Sequence, residues 1–297
     1  MADNNFQAVI EPARFKLDGG AMYGIIPKPM WEKKHPADNE NRVDLALRLW
    51  VIKSKDKIVV VDTGIGDYHD EKFNLMFDVR SNRSPLEQAL NELDISCKQV
   101  TDLIITHLHF DHVGGMGIKN TDGNWELAFP NAYCHLHQKH WDYSKKATAR
   151  DKGSFHSHLY EDLLDIYKNQ NKLITYNEEE GVLRRLEDLN LKYKVSFGHT
   201  PWLLHPYNNE MIYMADLIPT SNHIHIPWVM GYDISPGVTT QDKEAFLEFI
   251  FEKNLTMIFE HDPNFWGAKL TKDKKKKYLP DIKFESKNKL SYFLERI

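Results

Sequence analysis

Cysteine is scarce in this sequence, in which Cys97 and Cys134 are the only two among 297 residues. Two cysteines in a chain of this length argue against a disulfide framework and fit a reducing compartment, so a cytoplasmic location is expected. No apolar run reaches the roughly 18 residues that a membrane helix needs, and no membrane span is predicted. The opening segment, MADNNFQAVIEPARF, has neither the basic nor the apolar stretch of a secretory signal.

The chain also lacks an excess of positive charge. Lys and Arg number 38 against 43 Asp and Glu, which gives a formal net charge of −5. A protein that follows a nucleic-acid backbone needs the opposite balance, so no nucleic-acid partner is expected. The one basic run, KDKKKK at 272–277, is interpreted as a solvated surface segment.

The remaining composition is that of an ordinary globular protein, and the order of the strands and helices predicted below favours an α+β or layered α/β fold. Hydrophobic residues make up 41% and charged residues 27% of the chain. No linker rich in Pro, Gly or Ser divides it, so residues 1–297 are interpreted as one domain. Apolar residues at a spacing of two, or in short continuous runs, predict strands at 43–52, 57–62, 102–106, 131–136, 191–197, 210–216 and 255–261. Apolar residues at helical spacing predict helices at 84–95, 158–170 and 242–254.

Two of these elements carry sharper expectations. The alternation of apolar residues in 43–52 predicts a half-buried strand that pairs with 57–62 as a hairpin. In the helix at 84–95, Ser84 is expected to cap the N-terminus and Pro85 to occupy the first turn. Glu87 would complete a capping box with Ser84.

Histidine is the compositional oddity, with 15 residues in the chain. Four potential ligands, His107, His109, Asp111 and His112, fall within six positions directly after the strand predicted at 102–106. On a loop that leaves a strand, the first two can converge on one metal ion and the last two on a second ion nearby. Nitrogen and carboxylate ligands of this kind suit Zn²⁺, with Fe, Mn and Co as alternatives. Gly114 and Gly115 follow, and glycine gives backbone freedom beside a site.

Other histidine pairs at the same spacing serve as a comparison. The pairs His135/His137 and His156/His158 lack an aspartate and a histidine at the later positions of the cluster. We interpret these two pairs as structural. The 107–112 cluster therefore stands apart as the predicted metal site.

Four ligands do not complete two metal sites, and three further residues sit where strands are predicted to end. His199 follows the strand at 191–197, Asp216 ends the strand at 210–216, and His261 ends the strand at 255–261. At a strand end, a carboxylate such as that of Asp216 could bridge two metal ions.

Together these motifs resemble the metallo-β-lactamase superfamily. The resemblance runs through VVDTGIGD (60–67), THLHFDHVGG (106–115), GHTP (198–201), ADLIPT (215–220) and EHDP (260–263). It implies an αββα sandwich in which two mixed sheets pack face to face with helices outside.

The resemblance also implies a ligand set. One metal ion would be held by His107, His109 and His199, and a second by Asp111, His112 and His261, with Asp216 bridging the two ions. Asp62, in the DTG loop, would lie behind a ligand histidine and orient it. Two Zn²⁺ ions per chain are the expected cofactors. They would lower the pKa of a bridging water to about 7, and the resulting hydroxide would attack the substrate. Asp111 would relay a proton to the leaving group.

The substrate class also comes from the resemblance. The stretch HLHFDHVGG is similar to the branch that holds quorum-quenching N-acyl-homoserine lactone hydrolases, and 215–233 resembles the larger, YtnP-like lactonases of that branch. A small molecule with an acyl chain is therefore the expected partner, with Met22, Tyr23, Phe110 and Trp228 as candidate contacts. Organophosphate hydrolysis of the methyl-parathion type and glyoxalase-II-like thioester hydrolysis are the alternatives on the same metals. A homodimer is left open.

One departure from that branch concerns the carbonyl. Small lactonases of the branch carry a tyrosine three residues after the bridging aspartate, where it can hydrogen-bond the substrate carbonyl. Here that position is Pro219, which has no donor. If the segment after Asp216 is extended, His223 and His225 point the same way and one can face the metals. His223 is therefore the candidate catalytic donor, with polarisation by metal alone or by a tyrosine elsewhere in the chain as the alternatives.

Overall fold

The computed structural model describes residues 5–82, 84–275, 277–286 and 291–295. The strands are β1 (Phe6–Asp18), β2 (Arg42–Lys53), β3 (Ile58–Val61), β4 (Arg80–Ser81), β5 (Asp102–Ile104), β6 (Gly117–Lys119), β7 (Trp125–Leu127), β8 (Tyr133–His137), β9 (Leu173–Tyr176), β10 (Glu180–Val182), β11 (Lys192–Ser196), β12 (Leu203–Tyr207), β13 (Met211–Tyr213), β14 (Thr256–Ile258), β15 (Phe265–Lys272), β16 (Tyr278–Glu285) and β17 (Ser291–Glu295). The helices are α1 (Gly19–Tyr23), α2 (Lys28–Trp31), α3 (Glu71–Met76), α4 (Pro85–Asn91), α5 (Phe110–Val113), α6 (Gln138–Ser144), α7 (Glu161–Asn169) and α8 (Pro236–Lys253). Short 3₁₀ turns lie at Cys97–Gln99, Lys152–Ser154, Ser157–Leu159, Glu187–Leu189 and Ser221–Ile224.

Most of these strands form two mixed sheets. The first has the order β17-β1-β2-β3-β5-β8-β9, with β4 paired to β1, and the second has the order β10-β11-β12-β13-β14-β15-β16. In the first sheet β3, β5, β8 and β9 run parallel, whereas β1 and β2 are antiparallel to their neighbours. In the second sheet only β13 and β14 are a parallel pair.

The sheets face each other across one apolar layer. Trp50 and Val61 from the first sheet share a buried cluster with Tyr193, Leu204 and Ile258 from the second. A second cluster covers the outer face of the first sheet with residues of α4 and α7, and a third covers the outer face of the second sheet with residues of α8. This is the predicted αββα sandwich, since each sheet buries both of its faces.

The double burial corrects the expectation for 43–52. The strand and its hairpin with β3 are confirmed, but the strand is not half-buried. Arg48 and Trp50 point away from Leu49 and Val51, and all four are fully or almost fully buried. Alternation in the sequence indicated one covered face, whereas helices cover one side of β2 and the second sheet covers the other.

The helix predicted at 84–95 exists but is shorter, as α4 covers Pro85–Asn91. Pro85 occupies the first turn as expected, and Leu86, Ala89 and Leu90 are buried. The predicted capping box is wrong. Ser84 has a left-handed backbone (φ 51°) and makes no side-chain cap bond, and its N–H donates to Asp67 Oδ2 at 2.9 Å.

The other predicted elements are found with shifted ends. The helices predicted at 158–170 and 242–254 are α7 and α8, and α8 begins six positions earlier, at Pro236. The long β1 was not predicted. Among the described residues, no helix combines the length and apolar character needed to cross a membrane.

The strand directions place the candidate residues at one edge of the sandwich. Asp62 and the 107–112 cluster follow the parallel strands β3 and β5 of the first sheet. His199, Asp216 and His261 follow β11, β13 and β14, which run in one direction in the second sheet. Because the ends of similarly directed strands meet at the same edge, loops from both sheets converge there.

Candidate metal centre

Four residues from three loops form the first group of potential metal ligands: His107, His109, His199 and Asp216, all buried. His109 Nδ1 lies 3.1 Å from His107 Nε2 and 3.2 Å from His199 Nε2. His199 Nε2 lies 3.1 Å from Asp216 Oδ2. Neighbouring ligand atoms in a tetrahedral zinc site with bonds of about 2.0–2.1 Å are about 3.3 Å apart. The spacing therefore matches one small cation at the centre of the group.

The second group comprises His112, Asp216, His261 and Glu260. His261 Nε2 lies 3.0 Å from Asp216 Oδ1, and His112 Nε2 lies 3.7 Å from Asp216 Oδ2. Asp111 faces the same space, with its carboxylate oxygens 3.6 Å from His261 Nε2 and 3.8 Å from His112 Nε2. Asp216 thus presents one oxygen to His199 of the first group and the other to His261 of the second, and the two groups share this carboxylate.

Asp62 lies behind the histidine rings. Its Oδ2 accepts a hydrogen bond from His112 Nδ1 at 2.9 Å. The same carboxylate accepts the Thr106 hydroxyl at 2.7 Å and the Thr106 N–H at 2.8 Å. The Thr106 oxygen in turn lies 3.0 Å from His107 Nδ1. Asp62 therefore orients His112 directly and His107 through a hydroxyl, as carboxylates behind ligand histidines do.

The rings of His199 and His261 are held in the same manner, by two groups that sequence reasoning missed. Asp233 Oδ1 lies 2.9 Å from His199 Nδ1, and the Ala46 carbonyl accepts from His261 Nδ1 at 2.8 Å. Asp233 carried no sequence signal, because it lies 34 positions after His199, the ring that it contacts.

Glu260 is the other residue that sequence reasoning missed. Its Oε2 lies 3.1 Å from His112 Nδ1, on the side of the ring opposite Nε2. Glu260 therefore stands behind His112 beside Asp62 rather than facing Asp111 and Asp216. The single N–H on His112 Nδ1 can donate fully to only one of the two carboxylates, Asp62 and Glu260. Burial raises the pKa of Glu260 to about 7, so near neutrality its carboxyl group carries a proton part of the time. Its position next to His261 was the only available hint.

Close loop packing holds these residues in place. A side chain on Gly114 would stand 1.9 Å from the Ile65 carbonyl, and one on Gly198 would stand 2.1 Å from the Thr239 N–H. Gly114 has an ordinary helical backbone (φ −59°). Glycine is needed there for close approach and not for the backbone freedom that the sequence suggested.

Proton equilibria differ between rings in the metal-free protein. Burial lowers the pKa of both His107 and His109 well below the usual value, and neighbouring rings add to the effect. Burial also opposes charge on His199 and His261, but Asp216 outweighs it and raises the pKa of each ring to about 9. Burial raises the pKa of Asp216, yet His261 and His199 hold it well below its usual range.

The residues present fit a bound cation. Within the described part of the chain, His112 Nε2 and Asp216 Oδ1 are buried without a hydrogen-bond partner. His109 Nδ1 faces two ring nitrogens at once, and a single N–H can donate to only one of them. Divalent metal ions at both groups would satisfy these atoms together.

The comparison pairs lie outside both groups. His135 pairs with Asp102 at 3.1 Å and with the Tyr176 hydroxyl at 2.8 Å. His137 stacks on Trp202. His156 is half-buried and stacks on Phe110, and His158 is exposed.

Phe110 is the predicted substrate contact that is partly open to solvent. It is half-buried and belongs to an aromatic cluster, the Phe110 cluster, made up of His69, Phe73, Phe77, Phe110 and His156. Met22 and Tyr23 are shut off from solvent, at 1% and 0% exposure, and Trp228 is nearly so. Tyr23 is stacked between Trp31 and His223. The structure therefore gives Met22, Tyr23 and Trp228 a packing role behind the site rather than a wall open to substrate.

His223 also departs from the expectation. Its segment forms a 3₁₀ turn, Ser221–Ile224, rather than an extended strand, so His223 and His225 do not share a face: His223 is buried and His225 is exposed. His223 Nε2 donates to the Met22 carbonyl at 2.9 Å, which leaves Nδ1 to accept from the Thr220 hydroxyl at 2.8 Å. Both nitrogens are engaged, so the structure assigns His223 to packing and not to carbonyl polarisation.

The fold and the paired histidine–carboxylate groups define a metal-dependent hydrolase. Residues 49–261, well over half of the chain, match the family described as the metallo-beta-lactamase superfamily. The chain therefore belongs to the metallo-β-lactamase superfamily. No curated protein sequence matches it significantly.

Solved structures repeat the fold along nearly the whole chain. A probable metal-dependent hydrolase from Staphylococcus aureus is 24% identical, with a TM-score of 0.81 over 96% of this chain and 98% of its own. AidC, described as a dizinc quorum-quenching lactonase, is 21% identical, with a TM-score of 0.71 over 93% and 94%. AbOPH, a hydrolase of the beta-lactamase superfamily, is 17% identical, with a TM-score of 0.73 over 95% and 98%. At these identities the likeness concerns the fold alone.

Proposed function

We propose that this protein is a dinuclear zinc hydrolase that opens the lactone ring of N-acyl-homoserine lactones. The observation that carries the proposal is the position of Asp216 between two buried groups of ligands. His107, His109 and His199 would hold one ion, and Asp111, His112 and His261 the other. These histidines and carboxylates are the ligand types that zinc prefers.

Zinc ions bound there would supply Lewis acidity and lower the pKa of a bound water to about 7. The chain's own residues shape the rest of the chemistry. Asp111 faces the second group and is buried with its oxygens toward His112 and His261. From there it can accept a proton and pass it to the leaving alkoxide when the ring opens. Asp62, Asp233 and the Ala46 carbonyl keep the rings in one tautomer and one orientation.

The Phe110 cluster supports a substrate with an apolar group. Phe110 lies between the ligands His109 and Asp111 in the chain, and its ring packs against Phe73 and His156. An acyl chain laid on this half-exposed surface would bury apolar area next to the reacting carbonyl. AidC, which shares the fold, is described as a dizinc lactonase.

The same cluster favours one alternative. Aromatic rings stack on aromatic side chains, so the aryl group of a phosphotriester would also fit against Phe73 and Phe110. Organophosphate hydrolysis is therefore the second candidate. Thioester hydrolysis uses the same metals but has no observation of its own in its favour.

A substrate panel tests the proposal. Zinc-loaded protein is assayed with N-acyl-homoserine lactones of several chain lengths, an aryl phosphotriester, a thioester and a β-lactam, with Asp216→Ala as the inactive control. We expect the highest kcat/KM with a lactone. A higher value with the phosphotriester or the thioester would replace the lactone assignment and leave the metal centre standing.

A further inference from the structure

His140, a residue of α6 outside both ligand groups, touches two of the loops that carry the first group. Its ring is fully buried. Its Nε2 accepts a hydrogen bond from the Leu108 N–H at 2.9 Å, and its Nδ1 lies 2.8 Å from the Pro201 carbonyl. Leu108 stands between the ligands His107 and His109, and Pro201 follows the ligand His199 by two positions.

We propose that His140 is a positioning residue that fixes the geometry of the first ligand group by tying the 107–109 loop to the 199–201 loop. The inference rests on the proposed metal centre. The His140 ring is not itself a ligand, and it acts on the ligands through two backbone groups.

The two partners determine the protonation of the ring. Leu108 offers an N–H, so Nε2 must be the acceptor and carry no proton. Pro201 offers a carbonyl, so Nδ1 must carry the proton. The neutral ring with its proton on Nδ1 makes both bonds, and the other neutral tautomer makes neither. A doubly protonated ring could not accept from Leu108. Burial lowers the pKa of His140 to about 4, in keeping with a neutral ring.

A second contact shows that the 199–202 segment is docked on this part of the fold. The His137 ring stacks on Trp202, with centroids 4.9 Å apart and planes 7° apart, and Lys139 Nζ lies 4.1 Å from the same ring centroid. His199 and the 107–109 loop come from different sheets. His140 therefore spans the gap between the sheets at the point where the three nitrogens of the first group must come within about 3.3 Å of each other.

The second group does not rely on His140. His112 is held by Asp62 at 2.9 Å and His261 by the Ala46 carbonyl at 2.8 Å. Loss of His140 should therefore weaken one ion and spare the other. General destabilisation would not produce such a difference.

The test compares metal binding by three variants of the full chain. His140→Phe keeps a ring and removes both bonds. In His140→Gln the amide oxygen can accept from Leu108 while the amide nitrogen donates to Pro201. His135→Phe is the matched control, since His135 is also buried with two bonds but faces Asp102 and Tyr176. Each protein is titrated with Co²⁺ against a chelator and followed by visible absorption.

We expect wild type and His135→Phe each to bind two ions, and each ion to bind with the same affinity in His135→Phe as in wild type. In His140→Phe, one of the two affinities should fall by about 10- to 100-fold, as for other groups that orient metal ligands, and His140→Gln should recover most of it. Unchanged binding in His140→Phe, or an equal loss in His135→Phe, overturns the inference. A wild-type chain that binds no Co²⁺ overturns the proposed function instead.

A measurement on the wild-type protein covers the case in which His140→Phe fails to fold. Long-range ¹H–¹⁵N spectra of histidine-labelled protein report which ring nitrogen carries the proton. The inference requires Nδ1 of His140 to be protonated and Nε2 to be bare. Protonated Nε2 would be incompatible with the Leu108 bond and would overturn it.

Discussion

The Asp62 carboxylate lies 2.9 Å from His112 Nδ1, on the side of the ring that faces away from the proposed metal. It also holds the Thr106 hydroxyl that contacts His107. One carboxylate thus orients a histidine in each ligand group, which singles it out for a test.

Asp62→Asn should lower metal affinity by about 10- to 100-fold at one or both groups, because the amide is a weaker partner for the His112 N–H. The measurement is a chelator competition with Zn²⁺. Asp102→Asn is the control, since Asp102 is a buried carboxylate that pairs with the structural His135. Equal losses in the two variants would show that Asp62 acts through stability alone.

Alanine variants of the proposed ligands and of the structural histidines should differ in metal content. His107→Ala and Asp216→Ala are expected to abolish hydrolysis and lower the metal content below two ions per chain. His135→Ala and His156→Ala should keep both ions, although His156→Ala removes a ring that stacks on Phe110 and can raise KM. Elemental analysis decides, and full metal loss in His135→Ala would contradict the ligand assignment.

The carbonyl donor can be sought by comparing two variants. His223→Ala should change kcat by less than about tenfold, because both ring nitrogens serve packing bonds. Tyr232 is the tyrosine to compare with it, because Tyr232 and Phe110 pack, both half-buried, against the same apolar cluster. Burial raises the pKa of its phenol, and the charges of Asp18 and Asp111 add to the effect.

Tyr232→Phe should lower kcat by about 10²–10³-fold, the usual effect of removing an oxyanion donor. Both ions must be retained for the comparison, and kcat must be read at saturating substrate. A large kcat loss in His223→Ala with none in Tyr232→Phe would reverse the assignment.

Metal affinity should depend on pH with a defined sign. In the metal-free protein the pKa of His199 and of His261 is about 9, so both rings are protonated at neutrality. A ligand nitrogen must be bare, so binding releases these protons and affinity rises with pH from neutrality to about pH 9. Burial opposes charge on the ligand His112, but Glu260 and Asp111 raise its pKa well above the usual value, so its proton adds to the release with the same sign. Each released proton contributes about tenfold per pH unit below that point. Competition titrations at several pH values measure the slope, and a flat profile would contradict the raised pKa values.

The part of this site that the sequence could predict depended on how closely the ligand residues are spaced along the chain. Four potential ligands within six positions, 107–112, have no ordinary structural use, so that cluster was recognisable alone. His199, Asp216 and His261 were recognisable only as a set of strand ends. Asp233 and His140 were out of reach, because each acts on a residue tens of positions away and no short pattern marks it.

The fold shows the same division. Apolar periodicity was sufficient to predict β2 and α7, because residues on a buried face recur at the spacing of a strand or a helix. It could not show that the polar-looking face of β2 is covered, because a second sheet supplies that cover. The capping role of Ser84 failed for a related reason. A contact with Asp67, 17 positions away, holds the Ser84 N–H instead.

The proposed metal ligands come from loops of both sheets, and His109 and His199 are 90 positions apart in the chain. Each bound ion would therefore act as a removable cross-link between the two halves of the sandwich. A cross-link that closes so long a loop restricts the conformations of the unfolded chain. An ion that binds only the folded state also increases the stability of that state. Chelation should then lower the melting temperature as well as stop hydrolysis, so in metal-poor surroundings this enzyme would lose structural resilience together with activity.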